Sequence, residues 1–318
     1  MKVLENVDLS TIAFYKIGGT TRFLLEVNNA ADIKDAFRFV HEHSELPVRV
    51  LSLGANLLIP DQPFIGITLW LNGDGSSFEV YEDSITSFAG EAFNSLIKFS
   101  FDNELIGLEW AGGLPSSVGG AVRGNAGCFG SEIKDTVLSV KAVNMSDPEM
   151  QVKEYSHEEC EFGYRDSFFK HHPDSVIVSV TFQLKKATPD EIVIAQEVYD
   201  ANILYRKKNH PLEYPSCGSV FKNIVDTAHV QKIIAVWPDI REQSETKWHG
   251  KIAVGYVINR LGFAGKRIGG AQVSEKHANY ISNVDHARAE DVKELIHEIS
   301  NSFEKTFGFV PEPEVVIE

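Results

Sequence analysis

Gly112-Gly-Leu-Pro-Ser-Ser-Val-Gly-Gly-Ala-Val-Arg-Gly-Asn-Ala-Gly127 carries six glycines in sixteen residues. Glycine lets the main chain approach a ligand closely and turn its N–H groups inward together. Ser116 and Ser117 stand where a helix would begin, and a helix start adds a positive end suited to anionic oxygens. The stretch is not a Walker loop, because no Gly-Lys-Ser/Thr follows, and it lacks Gly-x-Gly-x-x-Gly. Taken alone it reads either as a tight structural turn or as an anion cradle. The surrounding chain has to decide.

Upstream, Glu91–Glu104 has Phe93, Leu96, Ile97 and Phe101 on one helical face, stopped by Gly107. Before it, Phe78–Phe88 reads as a strand and Gly73-Asp-Gly75 as a boundary. Pro47–Pro60 reads as a buried strand that breaks at Gly54-Ala-Asn56, the kind of strand end where α/β proteins bind phosphate. Residues 10–27 give an extended segment around Tyr15-Lys-Ile-Gly-Gly19, then a strand at Arg22–Val27. An amphipathic helix follows with Ile33, Ala36, Phe37 and Val40.

Downstream, strands near Val137–Asn144 and Val176–Leu184 flank a loop with Arg165 between aromatic residues. An arginine so placed can clamp a carboxylate with its planar fork. Thr188-Pro-Asp-Glu191 is a capping box with proline at the first helical position. Its helix bears Ile192, Ala195, Val198 and Tyr199 and ends in Arg206-Lys-Lys208, charges that complement the negative helix terminus. Residues 185–205 read as a bridge into another domain. Beyond it lie Pro215-Ser-Cys-Gly-Ser-Val-Phe-Lys-Asn223, a helix over Ile252–Leu261, and a second glycine-rich cluster at 265–283. A terminal helix has Val292, Leu295, Ile296, Ile299 and Phe303 on one face, and a last strand lies within Val310–Ile317.

The balance of 45 acidic against 30 basic residues gives a net charge of -15, which argues against a general nucleic-acid or anionic-membrane surface. Three widely spaced cysteines without Cys-x-x-Cys argue against a disulfide frame or zinc knuckle and for a reducing compartment. No apolar run approaches the ~18 residues needed to span a bilayer. The reading is a cytoplasmic protein without a metal site.

In order along the chain, Tyr15-Lys-Ile-Gly-Gly19, Leu53-Gly-Ala-Asn-Leu-Leu58, Gly113–Val122 with Asn125-Ala-Gly127, and Tyr164-Arg165 are followed by Pro215–Asn223, Gly269-Gly-Ala-Gln-Val-Ser274 with His277-Ala-Asn279, and Pro313-Glu-Val315. Together they resemble the UDP-N-acetylenolpyruvoylglucosamine reductase (UDP-N-acetylmuramate dehydrogenase) family. The 54 positions from Arg165 to Ser219 leave little room for the inserted tyrosine loop of the longer form, so the shorter, type II form is the better match. The resemblance implies an α+β fold: a two-part FAD-binding fold of the vanillyl-alcohol oxidase type plus a C-terminal α+β substrate domain. The implied division is 1–73 and 74–200 for FAD, 201–306 for substrate, and 307–318 as a strand returning to the active site. It also implies non-covalent FAD, NADPH as reductant, and UDP-N-acetylglucosamine enolpyruvate as substrate for peptidoglycan precursor synthesis. The expected protein is a monomer without nucleic-acid or membrane partners.

The chemistry so implied has definite needs. Hydride attack on a vinyl ether conjugated to a carboxylate leaves charge delocalised into that carboxylate, and the adjacent carbon then needs an acid. By resemblance, Arg165 binds the carboxylate, Ser219 donates the proton, and Glu314 orients or stabilises the enolic intermediate. A free serine is a very poor acid, so Ser219 needs polarising neighbours, among which Lys222 is a candidate. For FAD the matching positions are Tyr15, Ile17, Gly54, Ala55, Asn56, Leu57, Gly113, Ser116, Ser117, Gly119, Gly120, Asn125 and Ala126. For the sugar nucleotide they are Lys207, Asn223 and His277. One departure stands out: the family's Gly-x-Gly-Ser-Asn loop is Ser52-Leu-Gly-Ala-Asn56 here, so position 55 lacks a hydroxyl. Another flavin oxidoreductase of this fold would not require Arg165, Ser219 and Glu314 together, and a non-catalytic binder would have lost one of them.

Overall fold

The computed structural model describes every residue of the chain except Pro148. Two compact units emerge, each assembled from separated segments. The N-terminal unit comprises Met1–Val7, Thr21–Leu53 and Phe64–Lys208; the C-terminal unit comprises Asp8–Thr20, Gly54–Pro63 and Asn209–Glu318.

The N-terminal unit holds two sheets. The first has the order Lys2–Asp8, Thr20–Val27, Phe64–Leu71, Val48–Leu51. Its last three strands are parallel, as expected where the helix Asp32–Glu42 connects two of them. That helix buries Ile33, Ala36, Phe37 and Val40, the face read from their spacing. The second sheet is antiparallel, in the order Val152–Ser156, Val137–Asn144, Ser175–Gln183, Ser84–Phe88, Phe78–Tyr81. The segment Phe78–Phe88 is therefore a hairpin rather than one strand. Its turn at Glu82-Asp83 contains no glycine, which hid it from pattern reading. The helix Phe93–Asp102 presents Phe93, Leu96 and Ile97 to a core that also holds Phe182 and Val140.

The C-terminal unit is built on a three-stranded antiparallel sheet of Arg267–Ile268, Ala271–Val273 and Ile281–Asn283. Against it packs the helix Ala289–Phe307, whose buried residues include Val292, Leu295, Ile299 and Phe303. This helix ends at Gly308 in the left-handed conformation, φ 72°, as a C-terminal glycine cap should. The helix Thr227–Val236, capped by Asp226, adds Ile233 to the same core. Of the expected strand within Val310–Ile317, only Val316–Ile317 pairs as a strand, parallel to Leu57–Leu58. Pro311 and Pro313 have no N–H to give a longer ladder.

Candidate functional site

In the N-terminal unit the glycine-rich stretch becomes a short 3-10 turn, Glu109–Ala111, then a loop and the helix Val118–Arg123. Ser117 caps that helix, its Oγ accepting from Gly120 N at 3.2 Å. Not every amide here is turned outward. Gly113 N donates to Asn94 Oδ1 at 3.0 Å, Val118 N to Glu91 O and Gly119 N to Ala89 O, both at 2.8 Å. A Cβ on Gly119 would stand 2.8 Å from that of Ala89, and one on Gly112 would stand 2.3 Å from the Tyr199 carbonyl oxygen. Those two glycines serve close packing. Gly120 differs, because a Cβ there would meet only the Ser117 and Ser116 hydroxyls, at 3.0 and 3.4 Å. Its missing side chain leaves a small hollow bordered by two hydroxyls, and Ser117 Oγ still has its own proton to donate.

Asn125 follows, fully buried with φ 40°. Its Nδ2 donates to Gly163 O at 2.7 Å and Glu132 Oε2 at 3.0 Å, while its Oδ1 accepts from Lys134 N at 3.1 Å. Gly163 lies two residues before Arg165, which has φ 56° and donates through Nη2 to Gly127 O at 2.5 Å. A non-glycine residue in this region is strained, and neighbours must hold it there. Burial pushes the Glu132 carboxyl up, but hydrogen bonds from Lys134 and Asn125, with the charges of Lys134 and Arg165, outweigh it and hold it below its ordinary value.

Arg206 is the residue sequence reasoning undervalued here. Read as one of three terminal helix charges, it is in fact buried. Its Nε donates to Gly112 O and its Nη2 to Cys128 Sγ, both at 2.9 Å. The helix Pro189–Asn209 thus holds the glycine stretch through a guanidinium, while Lys207 and Lys208 remain exposed. The signal was its three-residue spacing from Ile203, which also packs against the core.

In the C-terminal unit the main chain itself joins the two other candidate residues. Glu314 N donates to Val220 O at 2.8 Å, Lys222 N donates to Glu312 O at 2.9 Å, and Phe221 forms a bridge with Pro313. The segment that follows Ser219 is therefore hydrogen-bonded to the segment that bears Glu314, around one isolated bridge. Asn279 secures it: its Oδ1 accepts from Phe221 N at 3.0 Å, its Nδ2 donates to Phe221 O at 2.8 Å, and its carbonyl accepts from Val220 N at 2.8 Å. The loop of the first phosphate-type turn joins the same place, with Asn56 Nδ2 donating to the Glu314 carbonyl at 3.1 Å. The Lys222 ammonium is taken by Glu312. The side-chain oxygen of Asn223 accepts from Val254 N at 3.1 Å.

Tyr15 and Ile17 are buried in the core of this unit. Tyr15 donates to Ile281 O at 2.8 Å, and burial, with Cys217 beside it, raises its hydroxyl well above the ordinary value. Burial likewise pushes the Cys217 thiol up to about 12, with Tyr15 and the Glu314 charge as neighbours. His277 packs against Tyr280 and His210 at ring separations of 4.9 and 5.5 Å, and burial lowers its pKa. Among the described residues, no group of three or more His, Cys, Asp or Glu side chains could hold a metal ion. Among the same residues no helix is long and apolar enough to cross a membrane.

Residues 21–151 match an FAD-binding domain family, and residues 210–318 match the C-terminal domain of UDP-N-acetylenolpyruvoylglucosamine reductase. The donor set suits FAD. The hollow at Gly120 is bordered by hydroxyls, and Ser52 Oγ, just after the strand Val48–Leu51, is buried without a hydrogen-bond partner. The protein is thus an FAD-dependent oxidoreductase of α+β fold with a C-terminal domain of its own.

The UDP-N-acetylenolpyruvoylglucosamine reductase of Lactobacillus gasseri is 35% identical over 316 residues, 99% of this chain and 93% of the relative. That of Exiguobacterium sibiricum is 33% identical over 321 residues, 99% and 92% of the two chains. The crystal structure of UDP-N-acetylenolpyruvylglucosamine reductase from Thermus caldophilus superimposes with a TM-score of 0.71 at 26% identity, covering 99% and 98%. The chain belongs to the UDP-N-acetylenolpyruvoylglucosamine reductase family.

Proposed function

We propose that this protein reduces the enolpyruvyl ether of UDP-N-acetylglucosamine enolpyruvate to the lactyl ether of UDP-N-acetylmuramate, with NADPH as the reductant. The observation that carries the reading is the hydrogen bond from Glu314 N to Val220 O, which brings the residue next to Ser219 against the segment that bears Glu314. Bound FAD would pass hydride from NADPH to the terminal methylene carbon of the enolpyruvyl group. The remaining work falls to the chain's own side chains. Arg165 binds the carboxylate into which charge spreads, and its strained backbone is a means of aiming the guanidinium. Ser219 delivers a proton to the carbon bearing the ether oxygen, and Glu314 orients or stabilises the enolic species. General acid assistance of this kind is worth about 10² to 10⁴ in rate.

For the cofactor, Ser117 supplies a hydroxyl donor at the hollow, Ser116 and Gly120 border it, and Gly113 and Gly119 let the loop pack closely enough to form it. Gly54, Ala55, Asn56 and Leu57 complete the phosphate turn, Asn125 and Ala126 lie toward the flavin ring, and Tyr15 and Ile17 support the fold around it. Lys207, Asn223 and His277 contact the sugar nucleotide. Residues 1–73 and 74–200 form the two FAD-binding parts, 201–306 the substrate part, and 307–318 the returning strand. The protein acts in the cytoplasm as a monomer.

Half-reactions test the proton donor. Ser219→Ala is expected to leave flavin reduction by NADPH unchanged and to slow anaerobic reoxidation by the enolpyruvyl sugar about 10² to 10⁴-fold. Equal loss in both half-reactions would remove Ser219 from that role.

A further inference from the structure

The Ser52 hydroxyl is buried and makes no hydrogen bond in the structure. It directly follows the strand Val48–Leu51, which runs parallel to Phe64–Leu71, so it stands at the C-terminal tip of a parallel strand. Ligand phosphates are bound at such tips in open α/β sheets. It is the one hydroxyl in Ser52-Leu-Gly-Ala-Asn56, and two residues later the chain turns through Gly54 at φ 64°. A buried hydroxyl without a partner is destabilising, and alanine there would remove the penalty. A hydroxyl kept in that condition is explained when something absent from the protein chain completes it.

We propose that Ser52 is an FAD-binding residue, its Oγ donating a hydrogen bond to a phosphate oxygen of the cofactor, in a turn where position 55 offers only a methyl group. A charge-assisted bond to an anionic oxygen is stronger than one between neutral groups, which fits a position that tolerates an unpaired hydroxyl in its absence. The inference rests on FAD being the ligand of residues 21–151. Binding of FAD by the wild-type apoprotein tests that premise separately.

The experiment removes flavin from the wild-type and Ser52→Ala proteins and titrates each with FAD by flavin fluorescence. Thermal midpoints of both apoproteins and the ³¹P resonances of bound FAD are recorded alongside. Ser52→Ala is expected to weaken FAD binding about tenfold or more, to shift a pyrophosphate ³¹P resonance, and to leave the apoprotein at least as stable as the wild type. An unchanged dissociation constant would overturn the proposal. So would weaker FAD binding accompanied by a lowered apoprotein midpoint, since that is the signature of a merely structural serine.

Discussion

Arg165 and the Ser219–Glu314 pair are positioned by opposite physical means. In the N-terminal unit, Arg165 lies in a loop between strands, in a strained backbone conformation. Side chains hold that loop: Asn125 grips Gly163 and Glu132, and the guanidinium itself reaches Gly127. In the C-terminal unit, main-chain hydrogen bonds join residues 220–222 to 312–314, and the Asn279 carbonyl and amide reinforce them. Side-chain clamps depend on a few atoms that one substitution removes. Main-chain pairing survives most substitutions, because each residue contributes its N–H and C=O whatever its side chain. The first arrangement should therefore be the more fragile under mutation.

The largest effect follows from removing the clamp. Asn125→Ala deletes three hydrogen bonds made by a fully buried side chain, leaves the Lys134 N–H without its partner, and leaves the Gly163 carbonyl with only the 3.3 Å bond from Asp166 N. A loss of about 3 to 4 kcal/mol is expected in urea unfolding, since three hydrogen bonds worth about 1 kcal/mol each are lost and one donor is left unsatisfied. The Arg165 loop should also become more open to proteolysis. A loss below about 0.5 kcal/mol would show that the loop keeps its shape without the clamp.

Asn279→Ala probes the other arrangement. It removes the side-chain bonds to Phe221 but leaves the main-chain bonds from Val220 to residue 279 and from Glu314 to Val220. About 2 to 3 kcal/mol of stability should be lost. Reoxidation of reduced flavin by substrate, measured well below the unfolding midpoint, should change little because the backbone register of Ser219 and Glu314 remains. Loss of that half-reaction in a folded variant would mean that the amide, and not the main chain, sets the register.

The two regions also differed in how much could be read beforehand. Phe93, Leu96 and Ile97, or Val292, Leu295 and Ile299, declare their helices because burial imposes a period on apolar residues. Thr188 and Glu191 likewise announce a helix start, and the structure shows Thr188 N donating to Glu191 at 2.9 Å. The family resemblance named Arg165, Ser219 and Glu314, but their supports lay deeper. Arg206 looked like a terminal charge, because periodicity does not distinguish a guanidinium reaching a buried carbonyl from one in water. Asn279 stood in the motif His277-Ala-Asn279 without a role, since its bonds go to a segment 58 positions away. Gly112, Gly119 and Gly120 look alike as letters. Only neighbouring atoms separate the two that admit packed chain from the one facing hydroxyls.

The smallest effect concerns protonation, and its sign can be worked out. Burial lowers the pKa of His277, which packs near His210 and Tyr280 and accepts a long hydrogen bond from Asn279 N at 3.4 Å through Nδ1. The fold therefore favours the neutral ring. The unfolded chain takes up this proton near pH 6.5, so it binds more protons than the native state between there and the lowered native pKa. The contribution of His277 to stability is full above about pH 6.5 and declines as the pH falls through that window, with a slope of at most about 1.4 kcal/mol per pH unit for one proton. His277→Gln, which does not titrate, should flatten the pH dependence of the urea midpoint between pH 6.5 and 5 without altering it near pH 8. The shift would isolate this ring from the other ten histidines of the chain, which both proteins share. An identical slope in the two proteins would mean that the ring gains its proton as readily in the native state as in the unfolded one.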